Sequence, residues 1–167
     1  MTITQKITPF LLFDGHAEQA ARFYTSVFKN SKILSITRYP DLGQETAGRA
    51  PGSVMTVDFV IEGRRFTALN AGSGSKFNES ISFLVHCKTQ REVDYYWKKL
   101  TAGGKEVQCG WLQDKFGVSW QIAPEELLEV WKTKDAGRRE RVMAAMVKMV
   151  KLDLAKLKAA AKPPKKN

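Results

Sequence analysis

The chain is poor in the residues that most often carry catalysis and metal binding. It has only two histidines, His16 and His86, and only two cysteines, Cys87 and Cys109. The cysteines lack CxxC spacing, so a zinc ribbon or dithiol redox motif is excluded. With no export signal in the short apolar N-terminal run, both are expected as reduced thiols in the cytoplasm. Nothing in the sequence approaches the roughly 20 consecutive apolar residues of a membrane span, so no membrane partner is expected. Helix-turn-helix, zinc-finger and RNP patterns are also missing, which argues against a specific nucleic-acid partner.

What is present is a core-forming chain with a lopsided charge. Of 167 residues 43% are hydrophobic, enough for one compact domain or two small fused halves. The net charge is +10, yet residues 132–167 hold 12 Lys or Arg against 3 Asp or Glu. The body is therefore near neutral. The basicity belongs to a C-terminal helical segment over 125–160 and a tail over 161–167, and a solvated helix face with a frayed end accounts for it.

The pattern of elements repeats. "KITPFLLF" reads as a buried strand, and Asp14 is placed to cap a helix bearing Ala17, Ala20, Ala21, Tyr24, Val27 and Phe28 at helical spacing. "SKILSITRY", "GSVMTVDFVIEG" and "GRRFTALN" read as strands, the last two joined at Glu62-Gly63 as a hairpin. "SISFLVHC" then opens a second round. Thr89 with Glu92 forms a capping box, Val93, Tyr96, Trp97 and Leu100 make a helix stripe, and Gly103-Gly104 ends it. Short strands follow near Glu106–Gln108, Trp111–Asp114 and Val118–Ile122. An offset of 73 residues lays Phe23-Tyr24 over Tyr96-Trp97 and Phe10 over Phe83. The expected architecture is α+β: two βαβββ modules, 5–72 and 78–124, curling a mixed sheet around a shared cavity. Neither half can cover its apolar sheet face alone.

Several segments go beyond this pattern: "ITPFLLFDGHAEQAARFYTSVFKNSKI", "FTALNAG", "KFNESISF", "VDYYWKKL" and "CGWLQDKFGVSWQIAP". They resemble the PhnB-like branch of the vicinal oxygen chelate superfamily, the glyoxalase/bleomycin-resistance fold. The branch is labelled 3-demethylubiquinone 3-methyltransferase-like, and the resemblance runs over about residues 5–160, with the spacing of Trp111, Asp114, Gly117 and Trp120 its most specific feature. Metal ligands of the superfamily, carried over residue by residue, fall on Ile7, Asn70, Ser80 and Gln121. Ile7 offers no ligand atom and the other three are neutral oxygen donors, whereas a divalent metal wants carboxylates or imidazoles. No tightly bound metal and no cofactor are expected.

Strand alternation sorts the remaining candidates. With Gln121 turned to the cavity, Ser119 joins it, and Val118, Trp120 and Ile122 turn to the helices. The same rule places Ser80, Ser82 and Leu84 inward, with Phe66, Ala68 and Asn70 on the fourth strand and Ile7, Pro9, Leu11 and Phe13 on the first. The ligand-binding candidates are Asn70, Ser80, Ser82, Trp111, Ser119 and Gln121; their polar groups either meet a ligand or satisfy one another. Trp111 either closes the cavity mouth or packs against a second subunit. Cys109, with no histidine paired to it by sequence, reads as a structural thiol.

Three functions compete. One is a module that binds a small organic molecule without metal. Another is an enzyme, either the methyltransferase that the branch label implies or a glyoxalase-like lyase or isomerase. "NAGSGS" is not followed by a helical pattern, so the usual S-adenosylmethionine loop is absent, and no catalytic residue is assigned. The third is an interaction protein acting through the basic tail. A homodimer is expected, because "RVMAAMVKMV" places Val142, Met146 and Met149 on one apolar face that something must cover.

Overall fold

The computed structural model describes residues 5–41, 49–72, 74 and 76–163. The chain divides into two compact units, Met1–Lys76 and Phe77–Asn167. Each holds a four-stranded mixed sheet with a helix packed on one face, so the sheets are separate and open.

In the first unit β1 (Phe10–Phe13) leads into α1 (Ala17–Val27), then β2 (Lys32–Arg38), β3 (Val54–Ile61) and β4 (Arg64–Asn70). The sheet order is β1-β4-β3-β2, with β1 parallel to β4 and the other pairs antiparallel. The β3–β4 hairpin turns at Glu62 and Gly63, both at positive φ, the handedness that matches strand twist in a two-residue turn. Helix α1 buries Ala17, Ala20, Ala21, Tyr24 and Val27. Tyr24 stacks on Phe59 with ring centroids 6.1 Å apart, and Phe59 stacks on Phe66 at 5.6 Å.

Those contacts settle which face of the first sheet is which. Phe66, Ala68 and Asn70 turn toward α1, together with their β1 neighbours Leu11 and Phe13. Alternation sorted these residues into one set correctly but assigned the set to the cavity side. "FTALN" and "FLLF" are apolar on both faces, so alternation alone could not tell helix side from open side. The open face, turned away from the helix, carries Phe10, Leu12, Thr67 and Leu69. Ile7 precedes β1 and is 83% exposed, so it belongs to no strand.

Asp14 does not cap α1 either. The N-cap is His16, whose side chain makes no capping bond, and Asp14 pairs with Arg49 at 2.6 Å. The cap comes from the sheet: Asn70 Oδ1 accepts the Ala17 N–H at 3.0 Å. The two rounds differ by one residue at this junction. Phe13 lies three residues before the His16 N-cap, and Cys87 lies two before the Thr89 N-cap. The offset of 73 that superposes the helices therefore slips the first strands by one, and a one-residue slip exchanges the faces. Phe10 is 55% exposed, whereas Phe83 packs beside Trp120 with ring centroids 5.3 Å apart.

The second unit contains β5 (Ser82–Cys87), α2 (Gln90–Thr101), β6 (Lys105–Glu106), β7 (Trp111–Gln113) and β8 (Ser119–Pro124). The order β5-β8-β7-β6 repeats that of the first sheet. Thr89 accepts the Glu92 N–H at 3.2 Å, while the Glu92 carboxylate accepts the Lys88 N–H at 2.6 Å, so the box forms one residue wider than its standard version. At the other end Gly104 lies so close to β7 that a Cβ there would collide with the Gln113 carbonyl oxygen. Val93, Trp97 and Leu100 are buried on α2, and Leu112, Trp120 and Ile122 are buried on the sheet. Trp97 and Trp120 are core, as the helix stripe and strand alternation respectively predict.

Three further helices follow: α3 (Glu125–Lys132), α4 (Ala136–Met146) and α5 (Leu154–Ala161). Ala123, Leu127, Val130, Val142, Leu152 and Leu157 form their core, with Met146 and Met149 packed against it. The methionine stripe is thus covered by its own chain, which removes the reason given for a second copy. Helix α4 also stops at Met146, short of the expected run. The chain then turns so that the Met149 and Val150 carbonyls accept the Cys109 and Gly110 amides, both at 2.8 Å.

Candidate functional site

The strand register gathers four of the six candidate residues on the open face of the second sheet. Ser82 lies beside Ser119 on the parallel neighbour, and Gln121 is flanked by Leu84 on one side and Trp111 on the other. Gln121 Nε2 donates to Ser82 Oγ at 2.8 Å. Among the described residues nothing donates to Gln121 Oε1 and nothing accepts the Trp111 indole N–H. The face therefore presents a fixed carbonyl acceptor, an indole donor and the Ser82 hydroxyl hydrogen, with half-buried Trp111 and partly exposed Leu84 as apolar surface beside them.

Ser119 sits in the same patch with a different job. It is 2% exposed and donates to the Asn78 carbonyl at 3.3 Å. Asn78 Oδ1 in turn accepts the Ser80 N–H at 3.0 Å. Ser80 therefore lies in the turn ahead of β5, exposed, rather than on the strand. The strand begins two residues later than "SISFLVHC" suggests, because the Asn78 turn takes up the Ser80 amide.

Asn70 is the clearest departure. It is 4% exposed on the helix side of the first sheet, with Oδ1 on Ala17 N–H and Nδ2 donating to the Val54 carbonyl at 3.0 Å. Both halves of its amide are occupied by backbone, so it binds the fold together. Its backbone oxygen also accepts the Tyr39 hydroxyl at 2.6 Å. A cleft of about 380 Å³ opens beside it at the start of α1, but the two arginines lining it, Arg22 and Arg49, are paired with Glu18 and Asp14.

Sequence reading missed one polar row. On the open face of the first sheet Ser35, Asp58 and Thr67 stand side by side across three strands, with Phe10 beside Thr67 on the fourth. The Asp58 carboxylate accepts Thr67 Oγ1 at 2.6 Å and Ser35 Oγ at 3.2 Å. Its signal was an acidic residue inside the mostly apolar strand "VMTVDFVI".

The motif that gave the resemblance its specificity is architectural. Asp114 is 3% exposed; its Oδ1 accepts the Phe116 and Val118 amides at 2.8 and 3.1 Å, and its Oδ2 accepts the Trp120 indole N–H at 2.9 Å. One carboxylate thereby closes the β7–β8 turn and pins Trp120 in the core, with Gly117 supplying the positive φ. Neither thiol is placed for chemistry. Burial pushes the Cys87 thiol up to about 12, helped by the Glu92 and Glu125 carboxylates. Cys109 is held by the α4 end, its Sγ 3.8 Å from the Met146 carbonyl.

The four positions carried over as metal ligands do not fit a metal. Ile7 is an exposed hydrocarbon, Asn70 is spent on backbone, Ser80 is in a turn, and Gln121 offers one amide oxygen. Among the described residues no three His, Cys, Asp or Glu side chains come together as a ligand group. Nor does a helix follow the "NAGSGS" stretch: from Lys76 the described chain passes through a turn into β5.

Two open βαβββ units with this strand order define the vicinal oxygen chelate fold. A family profile described as 3-demethylubiquinone-9 3-methyltransferase matches residues 5–123, and the chain belongs to that PhnB-like family. A PhnB protein from Bacillus cereus, named as a candidate 3-demethylubiquinone-9 3-methyltransferase, is 36% identical over 72% of this chain and 99% of its own, with a TM-score of 0.64. A Pseudomonas aeruginosa protein shares the fold at 17% identity and a TM-score of 0.59, over 72% of this chain and 98% of its own. Comparison with curated proteins gave no match. The profile ends at residue 123, so α3–α5 lie beyond it, although the resemblance read from sequence extended to about residue 160. No helix among the described residues is long and apolar enough to cross a membrane.

Proposed function

We propose that this chain binds a small organic molecule on the open face of its second sheet, using neutral hydrogen-bonding groups in place of a metal. The observation that carries the reading is the cross-strand pair of Gln121 and Trp111, which leaves an acceptor and a donor unspent beside apolar surface. A few convergent polar groups on an apolar lining are the usual make-up of such a site. A planar or chain-like molecule bearing a carbonyl or hydroxyl suits it: Gln121 Oε1 accepts, Trp111 donates, and the indole face covers carbon. Changing Gln121 to leucine tests this. Affinity for a bound fragment should fall by about 1–3 kcal/mol, since a polar group of the ligand loses its partner. Stability should change little, because Ser82 is accessible to water. A stability loss with unaltered affinity would show that the amide serves only the fold.

The matched family's name supports a second reading, methyl transfer to a demethylubiquinone-like phenol. Its test is direct: incubation with S-adenosylmethionine and a catechol-type acceptor should then yield a methyl ether. The absence of a helix after the "NAGSGS" stretch weighs against it. Pairing of two chains rests on the exposed Met143 and Val147, one helical turn apart at the end of α4. A monomer mass in light scattering at micromolar concentration would refute it.

A further inference from the structure

We propose that the groove between α4 and α5 docks an acidic amphipathic segment of a partner protein. The groove is an open trough of about 700 Å³ in the segment beyond the family match. Its floor is built from small residues of both helices, Ala144 and Ala145 on α4 with Ala159 and Ala160 on α5. Small side chains let a docking backbone come close while offering hydrocarbon to an apolar face. The rim is cationic: Arg141, Lys148, Lys156 and Lys162 line it, and no carboxylate does. Lys148 and Lys162 are exposed and have no ion pair among the described residues. Lys156 meets only Asp153, at 3.6 Å on a well-exposed pair, a contact worth little in water.

The walls are held open by the chain itself. Arg141 donates through Nε and an η nitrogen to the Ala160 and Ala161 carbonyls, at 3.2 and 3.3 Å, tying α4 to the C-terminal end of α5. Val142 and Leu157 lie beneath in the buried core, so the trough does not depend on an occupant to form. Four cationic side chains thus border one preformed, apolar-floored groove. Charge complementarity selects an anionic occupant. The floor discriminates further: it has no aromatic side chain on which bases could stack, the feature that accompanies charge in single-stranded nucleic-acid grooves. Glutamate-rich turns alternating with leucine or alanine satisfy both rim and floor, as in helix-in-groove recognition.

The experiment is a fluorescence-anisotropy titration of the full chain with a labelled helical peptide of alternating Glu and Leu turns. Single-stranded oligonucleotide and phosphatidylglycerol vesicles are the competing arms. The expected result is micromolar binding of the peptide that weakens about tenfold on charge reversal at Lys148→Glu with Lys162→Glu. Added salt should weaken it as well. Both lysines are exposed, so the double variant should melt with the parent. Filling the floor with Ala144→Trp should also abolish binding while the rim charge stays. Tighter binding of the oligonucleotide or the vesicles than of the peptide would overturn the proposal. So would peptide binding that survives both variants, or no binding at any soluble protein concentration.

Discussion

Removing the Asp114 carboxylate tests whether the motif Trp111–Asp114–Gly117–Trp120 is structural. In Asp114→Ala the Phe116 and Val118 amides and the Trp120 indole N–H lose their acceptor. The bonds to Val118 and Trp120 are buried, so water cannot replace the carboxylate without opening the turn. Hydrogen bonds to an ionised group are worth about 1.5–3 kcal/mol each, and stranding a buried donor costs about 1–3 kcal/mol. With partial relaxation of the turn, a net loss of about 4 kcal/mol is expected. For a chain of this size that corresponds to a fall in Tm of about 8–16 °C. Urea unfolding followed by tryptophan fluorescence measures it. Asp114→Asn keeps the Oδ1 acceptor but turns an amide donor toward the Trp120 N–H, so it should lose about half as much. In a double-mutant cycle with Trp120→Phe, the Asn and Phe changes should couple by about 1–2 kcal/mol, because the same bond is lost once. A loss below about 1 kcal/mol for the alanine variant, or no coupling in the cycle, would refute the reasoning.

Asn70→Ala should destabilise the first unit by about 2–3 kcal/mol in urea unfolding, since the Ala17 N–H and the Val54 carbonyl both lose their partner, and ligand affinity should not move. The Cys87 thiol should resist alkylation in the native state at mildly alkaline pH and react only on unfolding, read by mass spectrometry with and without urea. Because its folded pKa lies near 12 and its unfolded value is 9.0, the unfolded chain releases the proton first; its contribution to stability is intact below pH 9 and declines as pH rises from 9 toward 12. Chelation should leave Tm unchanged, as the carried-over ligand positions include a hydrocarbon and a spent amide; a drop in Tm on adding chelator would contradict this.

The sequence carried the architecture well because its signals were local and redundant. The first two helices each had a stripe at helical spacing, the β3–β4 hairpin had Glu62-Gly63 as turn residues, and the two rounds reinforced one another. The same signals could not orient the strands of the first sheet. "FTALN" alternates between residues that are all small or apolar, and only the Asn70–Ala17 bond and the Tyr24–Phe59–Phe66 stack reveal which set meets the helix. The second sheet was legible to the face, since Trp120 and Ile122 contrast with Ser119 and Gln121. Ser80 was misplaced by two residues because the turn is set by a side-chain bond from Asn78, which strand propensity does not register. Asp58 escaped notice since a lone acid within a strand has no motif; only the register shows it between Ser35 and Thr67.

We propose the open face of the second sheet, at Gln121 and Trp111, as a small-molecule site. The most direct measurement is an amide and indole nitrogen–proton chemical-shift map of the full chain, titrated with a panel of neutral aromatic fragments bearing a carbonyl or hydroxyl. Binding fragments should shift the Trp111 indole N–H together with the backbone amides of Ser82, Leu84 and Gln121, and these shifts should vanish for the same fragments in Gln121→Leu. Shifts that gather elsewhere on the chain, or none at millimolar fragment, would contradict it.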